Sequence, residues 1–412
     1  MRKFSAGTVL WIWALTMIAG IFLFKTLNKN SREKKVTLTF ATWWEDELEE
    51  ETFSALTAEY ERLNQGVTIK LEKKSWNEIE DLLNGKAVIK ENNKNAQKQT
   101  PPDIFSIDPY AIGELEKNST LAAPGTDKDP AGNVVSIIAF INPLYYNIDL
   151  LEAAGFDRPP KNQTEFLSYV QRLKETGVAG AGLALSDPRS VNRQLLSWIW
   201  AAAGNPASSQ FSFTSKDVID TLIFLNLLKQ NLYANPFDLS EADLLDAFSK
   251  GKIGMMIGSV QDVKKLKSTK INFSITTIPA PVSYTKKPVF PLTVWYAGIY
   301  SKTEYPGKAK DFISFLKKKS EDIANAAYAV PGSGTLNREL SKSDPYYAKA
   351  FDMYEAGEMV RELYSSPNIK ELNSVILNEV RLMFLGSKTP QECAGAIQRD
   401  WERLTETTPS VQ

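Results

Sequence analysis

The stretch that most restricts what this chain can fold into is Val36 to Leu71. Val36-Thr37-Leu38-Thr39-Phe40-Ala41 alternates apolar and polar residues, the period-2 signature of a strand. Thr42-Trp43-Trp44-Glu45-Asp46 follows, and then a helical register with Phe53, Leu56, Tyr60 and Leu63 on one face. Glu47, Glu49, Glu50 and Glu51 crowd the start of that helix, where carboxylates meet the positive end of the macrodipole. Asn64-Gln65-Gly66 is a natural helix stop, and Val67-Thr68-Ile69-Lys70-Leu71 alternates again. Strand, helix and strand at this spacing predict a right-handed βαβ unit in an α/β fold. Ligands of open α/β sheets sit beyond the carboxyl ends of the strands, so Thr42 to Asp46 is where a site is expected.

Further along, Asp103 to Asp108 reads as a buried strand whose end, Asp108-Pro109-Tyr110, again joins an acid to an aromatic. Val134 to Tyr146 is apolar, with Asn142-Pro143 inside it, and reads as an extended segment crossing between lobes. Asn162 and Glu165 form a candidate capping box for a helix with Phe166, Val170 and Leu173 as its core stripe. Gly180-x-Gly182 lacks a third glycine and precedes its strand, Leu183-Ala184-Leu185, so it is read as a turn and not a dinucleotide loop. Gln194 to Ala203 is helical and apolar nearly all round; Gly251 to Gly258, Asn272 to Ile278 and Val294 to Tyr300 are strands. From Pro345 onward the chain is expected to be essentially helical.

Composition removes several chemistries. The 412 residues contain no histidine and one cysteine, Cys393. Ser-His-Asp and Cys-His nucleophile systems and His-ligated metal sites are therefore excluded, as is an internal disulfide. A net charge of −1 gives no footprint for nucleic acid. No cofactor is expected. Gly7 to Phe24 is an uncharged run of 18 residues behind Arg2 and Lys3, long enough to span a bilayer and lacking a small-x-small cleavage site after it. It is read as an uncleaved anchor in the inner (cytoplasmic) membrane, with residues 1–35 as anchor and tether. Lys25, Lys29, Arg32, Lys34 and Lys35 follow it, and by the positive-inside rule alone they would hold the remainder in the cytoplasm.

Several stretches together resemble one family. They are Phe40 to Leu63, Pro102-Asp103-Ile104-Phe105, Tyr145-Tyr146-Asn147-x-Asp149-Leu150-Leu151-Glu152-Ala153-Ala154-Gly155, and Gly251 to Gly258. Pro306-Gly307-Lys308-Ala309 and the closing Leu385-Gly386-x-x-Thr389-Pro390-x-Glu392 complete the set. In this order the chain resembles the family 1 extracellular solute-binding proteins, the maltose-binding-like subunits of ABC importers. The resemblance implies a two-lobed periplasmic-binding-protein fold, type II-like, with three crossings near residues 141–145, 275–280 and 328–332. Lobe 1 would comprise residues 36–141 plus 278–328, and lobe 2 residues 142–277 plus 329–412. It also implies hinge closure of a monomer on a carbohydrate, delivery to ABC permease subunits, lobes facing the periplasm or cell exterior, and no bond chemistry.

A sugar site needs flat aromatics for C–H faces and planar polar side chains for hydroxyls. The candidates are Trp43, Trp44, Glu45, Asp108 and Tyr110 on the first lobe. Arg189, Trp198, Trp200 and Ser259 belong to the second, with Asn142, Trp295 and Tyr296 near crossings. Trp198 and Trp200 lie two apart on a helix, so at most one faces a cleft. The family often has a polar residue where Phe140 stands, small residues where Val294-Trp295-Tyr296 stands, and an aromatic where Ser259-Val260 stands. These departures predict a narrower or more apolar cleft. They leave open a membrane-anchored receptor or interaction protein with a degenerate site. A glycosidase using Glu45 and Asp108 is a third, remote reading, since it would need a fixed carboxylate separation.

Overall fold

The computed structural model describes residues 35–44, 48, 50–86, 100–122, 134–206, 211–332, 338–360 and 368–406. The opening unit is as the alternation dictates. Strand β1 (Val36–Thr42), helix α1 (Glu50–Leu63) and strand β2 (Val67–Lys73) form a parallel pair, with Val36 opposite Val67 and Thr42 opposite Lys73. Helix α2 (Trp76–Leu83) follows; Ser75 caps it in a complete capping box with Glu78. β3 (Ile104–Ile107) adds in parallel to the other side of β1, and α3 (Ile112–Lys117) leads to β4 (Val134–Ile141).

At Asn142-Pro143 the chain leaves this sheet for a second one. β5 (Leu144–Asn147) and α4 (Ile148–Ala153) precede α5 (Gln163–Glu175) and β6 (Ala179–Ala181). A π-helical turn (Asn192–Leu196), α6 (Ser197–Ala203), α7 (Lys216–Leu228) and α8 (Glu241–Ser249) come next. β7 (Ile253–Ile257), α9 (Asp262–Lys267) and β8 (Phe273–Thr276) close a four-stranded sheet of order β6-β7-β5-β8. The chain then returns to the first sheet with β9 (Val289–Ile299), α10 (Pro306–Lys318), α11 (Ser320–Ala327) and β10 (Val330–Pro331). The last part is α12 (Arg338–Ser343), α13 (Pro345–Ala356), β11 (Glu358–Val360), α14 (Ile369–Phe384) and α15 (Pro390–Glu406). The larger sheet runs β10-β4-β9-β3-β1-β2, with β11 paired to the start of β9.

Each lobe is therefore a sheet covered by helices, the layered arrangement that buries a strand's two apolar faces. Phe40, Phe53 and Phe312 meet edge-on beneath α1 and α10, while Phe166, Trp198 and Phe224 pack between α5, α6 and α7. Several local expectations are corrected. The strand expected at Leu183–Leu185 lies at Ala179–Ala181, where a Cβ on Gly180 would come within 2.4 Å of the Val170 Cα; the glycine serves a close helix–strand approach. The strand expected from Val294 begins five residues earlier, at Val289, and pairs there with a strand, β11, inside the region expected to be helical. Asn162 does cap Glu165 (2.9 Å to its N–H), but the Glu165 carboxylate accepts from the Lys161 N–H (2.9 Å) and Arg158 in place of closing the box. The run Gly7 to Phe24 lies outside the described residues; among those, no helix is long and apolar enough to cross a membrane.

Candidate functional site

The strand register sets where side chains converge. β1 ends at Thr42 and β2 at Lys73, side by side, and β3 ends at Ile107. β9 runs antiparallel to β3 with Tyr296 opposite Ile107, so Thr293, Val294 and Trp295 continue past the carboxyl end of β3. Trp43, Lys73 to Trp76, Asp108 to Tyr110 and Thr293 to Trp295 therefore share one edge of the larger sheet. Facing them from the smaller-sheet lobe are Arg189, Asn192, Arg193 and Glu241. Together with Glu78 these residues enclose a cleft of about 770 Å³. That volume is in the range of small-molecule sites.

The aromatic wall has two layers. Trp43 and Trp76 meet edge-to-face in the cleft, with centroids 6.1 Å apart at 82°. Trp295 lines it too, backed by Trp44, which stacks on it at 5.2 Å and 6°, and by Phe140 at 5.2 Å and 63°. Trp44 itself is sealed, touching Phe40 and Phe53. The bulky Val294-Trp295-Tyr296 segment and the apolar Phe140 are thus one construction. Phe140 and Trp44 clamp the Trp295 indole so that its remaining edge forms cleft wall.

The polar lining is mostly self-engaged. Asp108 caps the turn at Pro109–Ala111 by accepting from the Tyr110 N–H (2.9 Å). Burial pushes its carboxyl up, while that hydrogen bond and the charges of Arg189 and Lys370 pull it back. The Tyr110 hydroxyl donates to the Arg189 carbonyl (2.9 Å), a bond between the lobes, and the Arg189 guanidinium pairs with Asp187 (2.7 Å). Arg193 pairs with Glu241 (2.7 Å) and also donates to Asn142 Oδ1 (3.0 Å) and Thr293 Oγ1 (3.3 Å). Hydrogen-bonding groups at fixed positions around indole faces suit a polyhydroxylated ligand.

Of the residues singled out in the sequence, Trp43, Asp108, Tyr110, Arg189 and Trp295 line the cleft. Six others do not. Trp44 and Trp198 are core indoles, and Trp200 packs against Phe211 and Phe213. Tyr296 points to the opposite face of β9 from Trp295 and is buried. Asn142 is buried at the first crossing, donating to the Pro291 carbonyl (2.9 Å), and Ser259 is buried where its carbonyl accepts from the Tyr145 hydroxyl (2.6 Å). Glu45 lies outside the described residues. The lining residues missed include Lys73, Lys74, Ser75, Trp76, Glu78, Asn192, Arg193, Glu241 and Thr293. Among the described residues no acid or cysteine cluster is placed to hold a metal ion.

A family model described as bacterial extracellular solute-binding protein matches residues 45–322, more than half of the chain. The chain belongs to that family. Its members are substrate-binding proteins and not enzymes. Among curated relatives, a putative ABC transporter periplasmic-binding protein of Escherichia coli, YcjN, is 23% identical over 374 residues, 84% of each chain. A putative binding protein of Brucella abortus is 21% identical over 266 residues, 62% of this chain and 63% of its own. Among solved structures, the GacH receptor of Streptomyces glaucescens matches with a TM-score of 0.71 at 16% identity, covering 91% of this chain and all of that one (100%). The cyclic alpha-maltosyl-1,6-maltose binding protein of Arthrobacter globiformis matches with a TM-score of 0.71 at 18% identity, covering 90% and 98%. These neighbours share the two-lobed α/β solute-binding fold.

Proposed function

We propose that this solute-binding protein captures a carbohydrate in the cleft between its lobes and delivers it to the permease of an ABC importer. The observation that carries the reading is the 770 Å³ interlobe cleft itself, with Trp43, Trp76 and Trp295 on one side and hydrogen-bonding side chains of both lobes around them. Indole faces complement the C–H faces of pyranose rings, and charged and amide groups hydrogen-bond ring hydroxyls. The relatives support the same class: GacH was solved in complex with acarbose, and another neighbour is a chitin oligosaccharide binding protein. The lobes are taken as residues 36–141 plus 278–328 and 142–277 plus 329–412, except that β10 (Val330–Pro331) stays with the larger sheet by its pairing with β4, and they hinge as a monomer about the crossings that join the two sheets. Gly7 to Phe24 tethers them to the membrane, facing the periplasm or cell exterior, as befits an extracellular solute-binding family.

A thermal-shift screen with a saccharide panel that includes acarbose, malto-oligosaccharides and chito-oligosaccharides tests the reading. A ligand that binds only the folded cleft raises the melting temperature by mass action. At least one saccharide should do so, and Trp43→Ala should abolish the shift. If no saccharide shifts the transition, the importer reading gives way to that of an anchored receptor whose cleft no longer takes a sugar.

A further inference from the structure

Arg193 occupies a position that ligand capture alone does not account for. It sits in the π-helical turn of the smaller-sheet lobe, one of whose effects is to project Asn192 and Arg193 into the cleft while Leu195 and Leu196 enter the core. All three guanidinium nitrogens are engaged, and they go to different bodies. Nη1 pairs with Glu241, on the same lobe, at 2.7 Å. Nε donates to Asn142 Oδ1 at 3.0 Å and Nη2 to Thr293 Oγ1 at 3.3 Å. Asn142 stands at the first crossing and is fixed to the larger-sheet lobe by its bond to the Pro291 carbonyl, 2.9 Å away. Thr293 is on β9, a strand of the larger sheet.

We infer that Arg193 is a positioning residue that bolts the two lobes in the closed arrangement without ligand, by binding the first crossing and the larger-sheet strand β9 from the floor of the cleft. This deepens the proposed function and rests on the cleft being where the lobes close. The bonds divide by what a hinge motion does to them. Opening the lobes carries Arg193 and Glu241 away together, so their ion pair survives. The bond to Thr293 spans the two bodies, and the bond to Asn142 ties Arg193 to the crossing that the Pro291 carbonyl fixes to the larger sheet, so opening works against both. Because Glu241 keeps the cation neutralised in either state, opening strands no bare charge, and the bolt is therefore reversible. Other links between the lobes in the same arrangement include the Tyr110 hydroxyl to the Arg189 carbonyl (2.9 Å), Lys370 to Glu80 and Glu114 (3.4 Å each), and Lys264 Nζ to the Ala326 carbonyl (2.7 Å). The Tyr110 and Lys370 links lie at the exposed rim, where water competes for them, whereas Arg193 is mostly buried.

The test needs no ligand. Spin labels on the full chain at Asn84→Cys and Ser374→Cys, exposed positions on α2's end and on α14, report the interlobe distance by pulsed dipolar spectroscopy. Unliganded wild type should show one dominant short distance. Arg193→Gln should shift the population to longer distances, with the open-to-closed ratio rising roughly fivefold or more for two lost hydrogen bonds. Arg193→Lys, which reaches one partner at a time, should fall between. Thr293→Val removes a single cross-lobe acceptor without touching the Arg193–Glu241 pair, and should shift the distribution in the same direction by less. It keeps the test decisive if Arg193→Gln folds poorly. Unchanged distributions in these variants, or a wild type already open, would overturn the inference. Failure of every saccharide to bind would leave these distances untouched and so would be a separate result.

Discussion

Two adjacent tryptophans should respond to the same substitution in opposite ways. Trp44 is completely buried and touches Phe40 at 5.9 Å, Phe53 at 5.9 Å and Trp295 at 5.2 Å. Truncating it to alanine removes a whole buried indole and leaves a cavity walled by rings that cannot collapse, a loss of about 3–5 kcal/mol. Trp43 is half-buried at the cleft edge, and its ring partner among the described residues is Trp76 at 6.1 Å. Trp43→Ala should cost only about 0.5–1.5 kcal/mol of stability, the worth of one aromatic pair. Its main effect should be on ligand affinity. Urea unfolding followed by far-UV circular dichroism measures the first quantity, since a change in midpoint at constant slope reports stability. Calorimetric titration with whichever saccharide raises the melting temperature measures the second. Trp44→Ala should also weaken binding, because Trp295 loses its backing, but Trp44→Phe should restore most of it. A Trp43→Ala protein that unfolds at lower urea than Trp44→Ala would refute the two-layer wall, and with it the placement of the cleft.

Further outcomes follow from the same geometry. Burial pushes the Asp262 carboxyl up to about 6, although its carboxylate accepts from the Ser259 N–H (2.8 Å) and Arg193 pulls the other way. The folded state thus holds this proton more tightly than the unfolded one, so its contribution falls as pH rises from about 4 through 6. Relative to Asp262→Asn, wild type should lose on the order of 2 kcal/mol across that window in urea titrations; parallel pH profiles would contradict it. Asp344 caps α13 through the Tyr346 and Tyr347 N–H groups (2.9 Å each) and accepts from Lys267 (2.8 Å); burial pushes its carboxyl up, but the Lys267, Tyr328 and Tyr347 hydrogen bonds together hold it below the usual range. Asp344→Ala should cost about 2 kcal/mol at neutral pH, and the difference from wild type should shrink as pH falls through the depressed pKa. Gly180→Ala should destabilise by about 2–3 kcal/mol or more, because its Cβ would meet the Val170 backbone as well as the Val170 Cγ1; a neutral effect would mean that α5 and β6 pack less tightly than described.

How much was legible from residues alone is clearest at the strand ends. The period-2 run at Val36 and the acid–aromatic pair after Ile107 located Trp43, Asp108 and Tyr110 in the cleft, because carboxyl ends of parallel strands are where backbones diverge and leave room. The same rule applied to β2 would have found Lys73, Lys74 and Trp76, but Glu72-Lys73 breaks the apolar alternation and made the strand look two residues too short. Which of Trp43 and Trp44 is sealed depends on Phe40 and Phe53 from the flanking strand and helix and on Trp295 arriving from the distant β9. Trp295 and Tyr296 divide by strand alternation, yet which face is cleft required the register with β3. Arg193 and Glu241 carry no sequence signal at all. The π-turn runs through Gln194 to Leu196, so the helical periodicity read from Gln194 onward does not predict where Arg193 points, and Glu241 reads as an ordinary first-turn acid behind its Ser240 cap.

The claim everything else depends on is that the ligand enters between the lobes. A crystal structure of the protein saturated with a saccharide selected by thermal shift tests it most directly. The account predicts sugar density between the sheet edges, in van der Waals contact with Trp43 or Trp295 and hydrogen-bonded to side chains from both lobes. Density bound on one lobe alone, away from these indoles, would contradict it.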